Sequence, residues 1–231
     1  AVKNGRLGMA CGRAQVLTLI ISDVPDDDAA VVASGPTLAD GSVAADALEI
    51  LQRYGIALPA SVSAVLNKPC QSAQLQSMGR RDHYVIATAA DALTAVQASA
   101  EKSGWKVLNL GPAIEGEARE AGKVLGGVVK HLASSRDVVS GSKTPLLVLS
   151  GGETTVTLRH PTSGKGGRNV EFLLSLGLSA QTVPNMTALA CDTDGIDGVE
   201  DNAGAFVAPD TLERARARGM KIDTYLDRND A

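Results

Sequence analysis

Several features that quickly assign a chain to a class of protein are absent from this sequence. It contains no run of about 18 apolar residues, so we predict no membrane-spanning helix and no membrane partner. Its three cysteines, Cys11, Cys70 and Cys191, lie far apart, without a CxxC pair or a histidine at metal-ligand spacing. This pattern is typical of a reduced, cytoplasmic protein that has no zinc site.

An excess of basic residues is also absent. The 22 lysines and arginines are outnumbered by 26 aspartates and glutamates, which gives a net charge of −4 and a pI near 5.4. Proteins that follow nucleic-acid phosphates concentrate positive charge, so we predict no nucleic-acid partner. Any anion that this protein binds must therefore be held by a local arrangement of residues.

The common nucleotide and nucleophile motifs are missing as well. There is no GxxxxGK[ST] loop and no GxSxG turn. A partial GxGxxG starts at Gly164 but has Asn169 in its last position. No standard motif therefore identifies the ligand.

Alternating strand and helix signals are present along the whole chain. The 231 residues are 44% hydrophobic, which is enough for one large core or two small ones. The apolar run 16–21 predicts a strand that is buried on both faces. Apolar periodicity and short apolar runs predict the remaining elements. The predicted helices cover 43–54, 59–66, 91–103, 115–132, 170–178 and 211–218, and the predicted strands cover 84–88, 106–110, 146–149 and 187–191.

Two polar stretches interrupt this alternation. Residues 67–82 are polar and aperiodic, which favours a domain boundary, and residues 134–145 are predicted to form a linker. Gly151 and Gly152 lie between strand 146–149 and an alternating segment, 155–159, and this favours a hairpin. We therefore predict an α/β fold with a mostly parallel sheet plus a hairpin.

A glycine-rich, basic loop at 163–168 is the first candidate site. It precedes a helix predicted to begin near Asn169, and a helix N-terminus presents free N–H groups to an anion. Lys165 and Arg168 add two positive charges to the same few residues. The loop is predicted to hold an anion, and a flexible surface loop remains the alternative.

Carboxylates at the ends of predicted strands form the second candidate site. Asp23, Glu153 and Asp192 each follow a strand, where open α/β sheets place their ligands. Asp194 and Asp197 continue the glycine-punctuated loop after Asp192. Oxygen ligands of this kind suit Mg²⁺, while turn formation and helix capping are the structural alternatives. Cations and carboxylates together suit phosphoryl transfer.

Three segments in this order, SGGETTVTL, GKGGRNVEF and DTDGIDGVEDNAGA, resemble the MOFRL module of the class II glycerate kinases, a family also labelled hydroxypyruvate reductase. The upstream segment LIISDVPDDDAAVVASGPT resembles the later part of that family's N-terminal Rossmann-like domain. The resemblance implies Rossmann-like three-layer units in two domains. It also implies ATP- and Mg²⁺-dependent phosphorylation of D-glycerate, usually at the 2-hydroxyl. In the family this reaction takes place in a cleft between the two domains.

The family's motifs assign candidate roles to residues of this chain. Asp23 would bind metal or position the hydroxyl, and Arg168 would bind the substrate carboxylate or the transferring phosphate. The aspartates of DTDGIDG would be the metal ligands: Asp192, Asp194 and Asp197. Residues that would contact substrate or phosphate are Gly151, Gly152, Glu153, Lys165, Gly166, Gly167, Asn169 and Glu171.

Parts of the family pattern do not occur in these 231 residues. A GAGKA-like lysine segment, a GGGSA-like loop and the C-terminal TGTNVND-like turn are missing, so a fragment truncated at both ends is predicted. Residues 1–80 would be a remnant of the N-terminal kinase domain, and 81–231 a second α/β domain with the MOFRL module at about 145–231. An NAD(P)H-dependent hydroxypyruvate reductase and a non-catalytic anion-binding remnant are the alternatives, and a homodimer is left open.

Overall fold

The computed structural model describes residues 3–67, 80–139, 144–159 and 164–231, which fold into two compact units, 1–92 and 93–231. Each unit contains strands and helices. The first unit contains α1 (Arg6–Ala10), β1 (Val16–Ile21), α2 (Ala44–Arg53), α3 (Ala60–Leu66) and β2 (Arg81–Ala87), followed by α4 (Ala89–Lys102), which continues into the second unit. The second unit contains β3 (Lys106–Asn109), β4 (Ile114–Glu117), α5 (Ala118–Val139), β5 (Leu146–Leu149), β6 (Gly152–Thr155), α6 (Arg168–Ser179), β7 (Ala188–Cys191), β8 (Gly204–Val207), α7 (Thr211–Ala217) and α8 (Ile222–Asp227).

The described residues of the first unit contain one parallel strand pair. β1 pairs with β2 in register from Val16 opposite Arg81 to Ile20 opposite Val85. The predicted strand at 16–21 is confirmed, but its burial on both faces is wrong. Leu17, Leu19 and Ile21 are each about 60–70% exposed, because in the described part of the chain β1 has only β2 beside it.

The second unit contains a bent pair of parallel strands. β3 pairs with β5, and β4 pairs with β6. Hydrogen bonds continue across the bend, since the Gly151 N–H donates to the Gly111 carbonyl at 2.9 Å and the Ile114 N–H donates to the Gly151 carbonyl at 3.0 Å. The chain therefore runs on from β5 into β6 without reversing.

The predicted hairpin at Gly151 and Gly152 is accordingly wrong. A side chain on Gly152 would overlap the backbone of Ile114, so a glycine is needed there for the close approach of the neighbouring strand. The antiparallel pair lies elsewhere, between β7 and β8. The predicted fold class is confirmed: an α/β structure with parallel strand pairs and one antiparallel pair.

Several boundaries differ from the sequence-based prediction. The helix predicted at 115–132 begins at Ala118, after the unpredicted strand β4, and runs through part of the predicted linker to Val139. Strand β8 and helix α8 were also missed. The sequence of β4, IEGE, lacks an apolar pattern, so its conformation depends on its pairing with β6.

The proposed domain boundary near residue 80 stays a prediction. The compact units divide after Ala92, and β2, which the prediction assigned to the second domain, pairs with β1 in the first unit. Most of the polar stretch 67–82 lies outside the described residues. Among the described residues, no helix is both long and apolar enough to cross a bilayer.

The core of the second unit lies between helices α5 and α6. Leu125 of α5 and Leu173 and Leu176 of α6 are buried there. The two helices approach closely because α5 presents small residues to α6, including Gly122, whose added Cβ would lie 2.5 Å from the Phe172 carbonyl oxygen.

We expect Gly122→Ala to lower the free energy of unfolding by about 1–2 kcal/mol, because the added methyl group meets backbone atoms that cannot move independently. Gly127→Ala is the matched control, since the same helix leaves open space around Gly127. It should raise stability by about 0.5–1 kcal/mol through helix propensity. Denaturant titration of both variants measures the difference, and an equal effect would contradict the close packing.

Candidate functional site

Three segments of the second unit meet at the guanidinium group of Arg168. Arg168 is the first residue of α6, Glu153 lies in β6, and Asp192 directly follows β7. The Arg168 Nη1 donates to Glu153 Oε1, and Nη2 donates to Asp192 Oδ2 at 2.6 Å. The structure thus brings together three of the predicted site residues at a partly exposed place.

Asp197 fixes the start of α6. Its carboxylate accepts hydrogen bonds from the Asn169 N–H at 3.0 Å, from the Asn169 side chain at 3.3 Å and from the Val170 N–H at 2.9 Å. Asp197 is buried, and Gly167 lacks a side chain where the carboxylate lies against the backbone. The anion at this helix N-terminus is therefore a residue of the protein itself.

The amides of the glycine-rich loop are also used internally. The N–H groups of Gly164 and Gly166 donate to the Arg228 and Asn229 carbonyls, at 2.8 and 3.1 Å. The Lys165 N–H donates to Asp230 Oδ1 at 3.1 Å. These three amides therefore have partners within the protein, and anion binding elsewhere in the loop stays a prediction. Ser163, the first residue of the predicted loop, lies outside the described residues.

Other predicted site residues have separate environments. The Lys165 ammonium is exposed and pairs with Glu200 at 3.0 Å. Gly151 and the adjacent Gly152 belong to the bent strand pair, so their described role is structural. Asp23 is exposed in the first unit, directly after β1.

Glu171 does not line a cleft. It is buried, and its carboxylate accepts from Arg119 Nε at 2.7 Å and from Asn229 Nδ2 at 3.0 Å. Arg119 is buried too, and its Nη2 donates to the Leu226 carbonyl at 2.6 Å. The assignment of Glu171 to substrate binding is therefore corrected: it joins α5 and α6 to the end of α8.

The sequence reasoning missed Arg119, Asn229 and Asp230. The Asn229 side chain accepts from the Arg159 N–H at 3.2 Å and donates to the Thr157 carbonyl at 3.2 Å, in addition to Glu171. Residues 228–230 thus hold both ends of the segment that carries the glycine-rich loop. Arg119 carried no usable signal, because adjacent residues of a helix point about 100° apart and its position next to Ala118 does not place it on the apolar face.

The three predicted metal ligands do not form one site. Asp192 binds Arg168, Asp197 caps α6, and the exposed Asp194 accepts from the Ile196 N–H at 3.0 Å. Within the described ranges, no group of three or more histidine, cysteine, aspartate or glutamate side chains is arranged to hold a metal ion. These residues therefore do not fit a magnesium ion held jointly by the three aspartates.

We expect Asp197→Ala to destabilise the second unit by about 2 kcal/mol, since it removes the cap of α6 and leaves two backbone N–H groups without acceptors. Asp194→Ala changes an exposed carboxylate of the same loop and should stay within about 0.5 kcal/mol. Thermal and denaturant unfolding of both variants test this, and equal losses would refute the capping role.

We expect Glu171→Gln to cost about 3 kcal/mol, because it leaves the buried Arg119 charge without its carboxylate. The double variant Arg119→Met with Glu171→Leu should lose less than the sum of the two single changes, since it removes both charges together. The free energies of unfolding form a double-mutant cycle. Additive losses would show that the pair is not coupled.

Comparisons with known proteins identify relatives of this chain. Residues 146–231 match the MOFRL family, and residues 1–67 match DUF4147, a domain of unknown function. A putative hydroxypyruvate reductase of Agrobacterium vitis is 46% identical over the whole chain, which spans 52% of that protein. A glycerate kinase of Macaca fascicularis is 31% identical over the whole chain, which covers 68% of it.

A solved structure supports the same relationship. The crystal structure of glycerate kinase from Thermotoga maritima is 29% identical, with a TM-score of 0.73 over 99% of this chain and 53% of that one. The chain thus spans about half to two thirds of the length of these relatives. The resemblance found in the sequence motifs is confirmed, and the chain belongs to the glycerate kinase family that carries the MOFRL domain.

Proposed function

We propose that this chain is part of an ATP-dependent kinase that phosphorylates D-glycerate at the 2-hydroxyl group and produces 2-phosphoglycerate. The observation that carries the proposal is the guanidinium group of Arg168, which the start of α6 presents between two strand ends. A planar guanidinium matches the carboxylate of glycerate and the transferring phosphate equally well. The family membership supports the choice of glycerate.

In this reaction the substrate hydroxyl oxygen forms a bond to the γ-phosphorus of ATP. The bond between that phosphorus and the β,γ-bridging oxygen breaks, ADP leaves, and the hydroxyl proton passes to a carboxylate. We assign Arg168 to the substrate carboxylate or the transferring phosphate; the role of Asp23, in the first unit, stays a prediction of the family's motif. Asp23 is exposed at the end of β1, so it is free to meet a ligand.

Magnesium enters this proposal with the nucleotide, as Mg-ATP. Mg²⁺ usually keeps several waters and binds substrate phosphates with one or two protein carboxylates, so a set of three dedicated aspartates is not required. We further propose a cytoplasmic enzyme with a Rossmann-like domain at 1–80 and a second domain at 81–231. Cys11 and Cys191, which are free and exposed, support a reducing compartment.

A hydroxypyruvate reductase is the second candidate function. It is favoured by the name of the 46% identical Agrobacterium vitis relative. The 231 residues contain no dinucleotide fingerprint, which weighs against it. The two activities separate directly: phosphoglycerate formed from Mg-ATP and D-glycerate supports the kinase, and NADH oxidised with hydroxypyruvate supports the reductase.

A non-catalytic, anion-binding chain is the third candidate. The amides of Gly164, Lys165 and Gly166 are paired within the protein, which weighs against binding by these three amides. Titration of the 231-residue chain with D-glycerate and Mg-ATP tests it. Binding without turnover, in both this chain and the longest natural polypeptide that contains it, would favour this candidate over the kinase.

We expect Arg168→Ala to lower kcat/KM for D-glycerate by about 10²- to 10³-fold, because one charge-stabilising donor group is lost from the reacting centre. Arg214→Ala removes an exposed arginine of α7 and should leave the rate unchanged. Both variants should be compared in the longest natural polypeptide that contains these residues, with circular dichroism as a check on folding. Normal turnover by a folded Arg168→Ala variant would remove Arg168 from the mechanism.

A further inference from the structure

The two carboxylates on Arg168 are unequal in their exposure to solvent. The side chain of Asp192 is 17% exposed, whereas that of Glu153 is 47% exposed. Asp192 is also fixed by its backbone, because its N–H donates to the Ala203 carbonyl at 2.6 Å beside the β7–β8 pair. Asp192 is therefore the fixed partner of the guanidinium and Glu153 the accessible one.

Neither carboxylate accepts the two parallel hydrogen bonds that a guanidinium can donate. Glu153 binds Nη1 with one oxygen and Asp192 binds Nη2 with one oxygen. A substrate carboxylate or phosphate that approaches from solvent could offer two oxygens to the same group, which is the stronger geometry. It can gain that position most easily by replacing the accessible partner.

Replacing Glu153 is also the less costly exchange. Ion pairs between exposed side chains contribute little, because water solvates both charges after separation. A partly buried carboxylate such as Asp192 would lose its only described cation, Arg168, and would be left poorly solvated. The ion pair of Arg168 with Glu153 should therefore break more readily than its ion pair with Asp192.

We propose that Glu153 is an internal stand-in for the anionic group of the substrate, and that Asp192 is a positioning residue that holds Arg168 throughout the exchange. This inference rests on the proposed function, in which Arg168 binds the substrate. When glycerate binds, its carboxylate or the transferring phosphate takes the place of Glu153, which turns into solvent. Asp192 keeps the guanidinium aligned at the ends of β6 and β7.

The two carboxylates therefore have opposite effects on substrate binding. Glu153→Gln removes a competing charge, so KM for D-glycerate should fall about two- to fivefold with kcat nearly unchanged, the size expected for an exposed ion pair. Asp192→Asn removes the carboxylate that orients the Arg168 guanidinium. KM should therefore rise and kcat should fall, with kcat/KM lower by about tenfold or more.

The experiment measures kcat and KM for both variants in the longest natural polypeptide that contains these residues. Glu49→Gln is the matched control, because Glu49 forms an exposed ion pair with Arg53 on α2, an element of the first unit. It should leave both constants unchanged. A KM for Glu153→Gln that stays the same or rises would overturn the stand-in role.

Two further measurements distinguish this exchange from magnesium binding and from a failure of the proposed function. If the carboxylates bind magnesium, each variant will need more Mg²⁺ for half-maximal rate, and this result would overturn the proposal; an unchanged Mg²⁺ requirement supports it.

If the wild type makes no phosphoglycerate, the proposed function fails. Calorimetric titration with D-glycerate then tests the exchange alone: tighter binding by Glu153→Gln supports it, and equal or weaker binding overturns it.

Discussion

The buried carboxylate of Asp197 determines where helix α6 begins, and the position of Arg168 depends on it. Both oxygens of Asp197 are used by the first turn of the helix, through the N–H groups of Asn169 and Val170. A negative charge at this end of a helix is stabilised by the helix dipole and by the free amides. Because these two amides are occupied, the proposed binding of a ligand anion relies on the side chain of Arg168.

A second set of contacts in the same unit also holds helix α6. The buried Arg119–Glu171 pair joins α5 to α6, and Asn229 joins Glu171 to the segment before the glycine-rich loop. The backbone of residues 228–230 then binds the loop itself. Such a network keeps the guanidinium in one place before any ligand arrives, which reduces the ordering cost of binding.

The sequence predicted more of the fold than of the site. Apolar runs found β1 and β5, and helical periodicity found α2 and α4, because the local pattern of apolar residues is enough to indicate these elements. Strand β4 could not be found, since its conformation comes from pairing with β6. Gly151 and Gly152 were predicted to form a hairpin turn, because a close strand approach and a tight turn both require glycine.

The candidate site shows the same limit in its aspartates. Glu153, Arg168 and Asp192 were predicted as site residues and do meet: Glu153 lies within β6, Arg168 begins α6, and Asp192 follows β7. Asp192 and Asp197 look alike in sequence, yet one orients a cation and the other caps a helix 28 residues upstream. Only the folded chain shows which donors surround each carboxylate, because those donors come from distant segments.

The carboxylates around Arg168 also explain how a chain with net charge −4 can prepare a site for an anion. A lone guanidinium in a partly buried place would be mobile and would attract any anion from solution. Asp192 and Glu153 together outweigh its single positive charge and fix its orientation while it is without a ligand. An anion with two well-placed oxygens can compete for that position, whereas a weaker single-oxygen ligand gains little over Glu153. Selectivity then follows from the exchange, and the protein needs no general excess of positive charge.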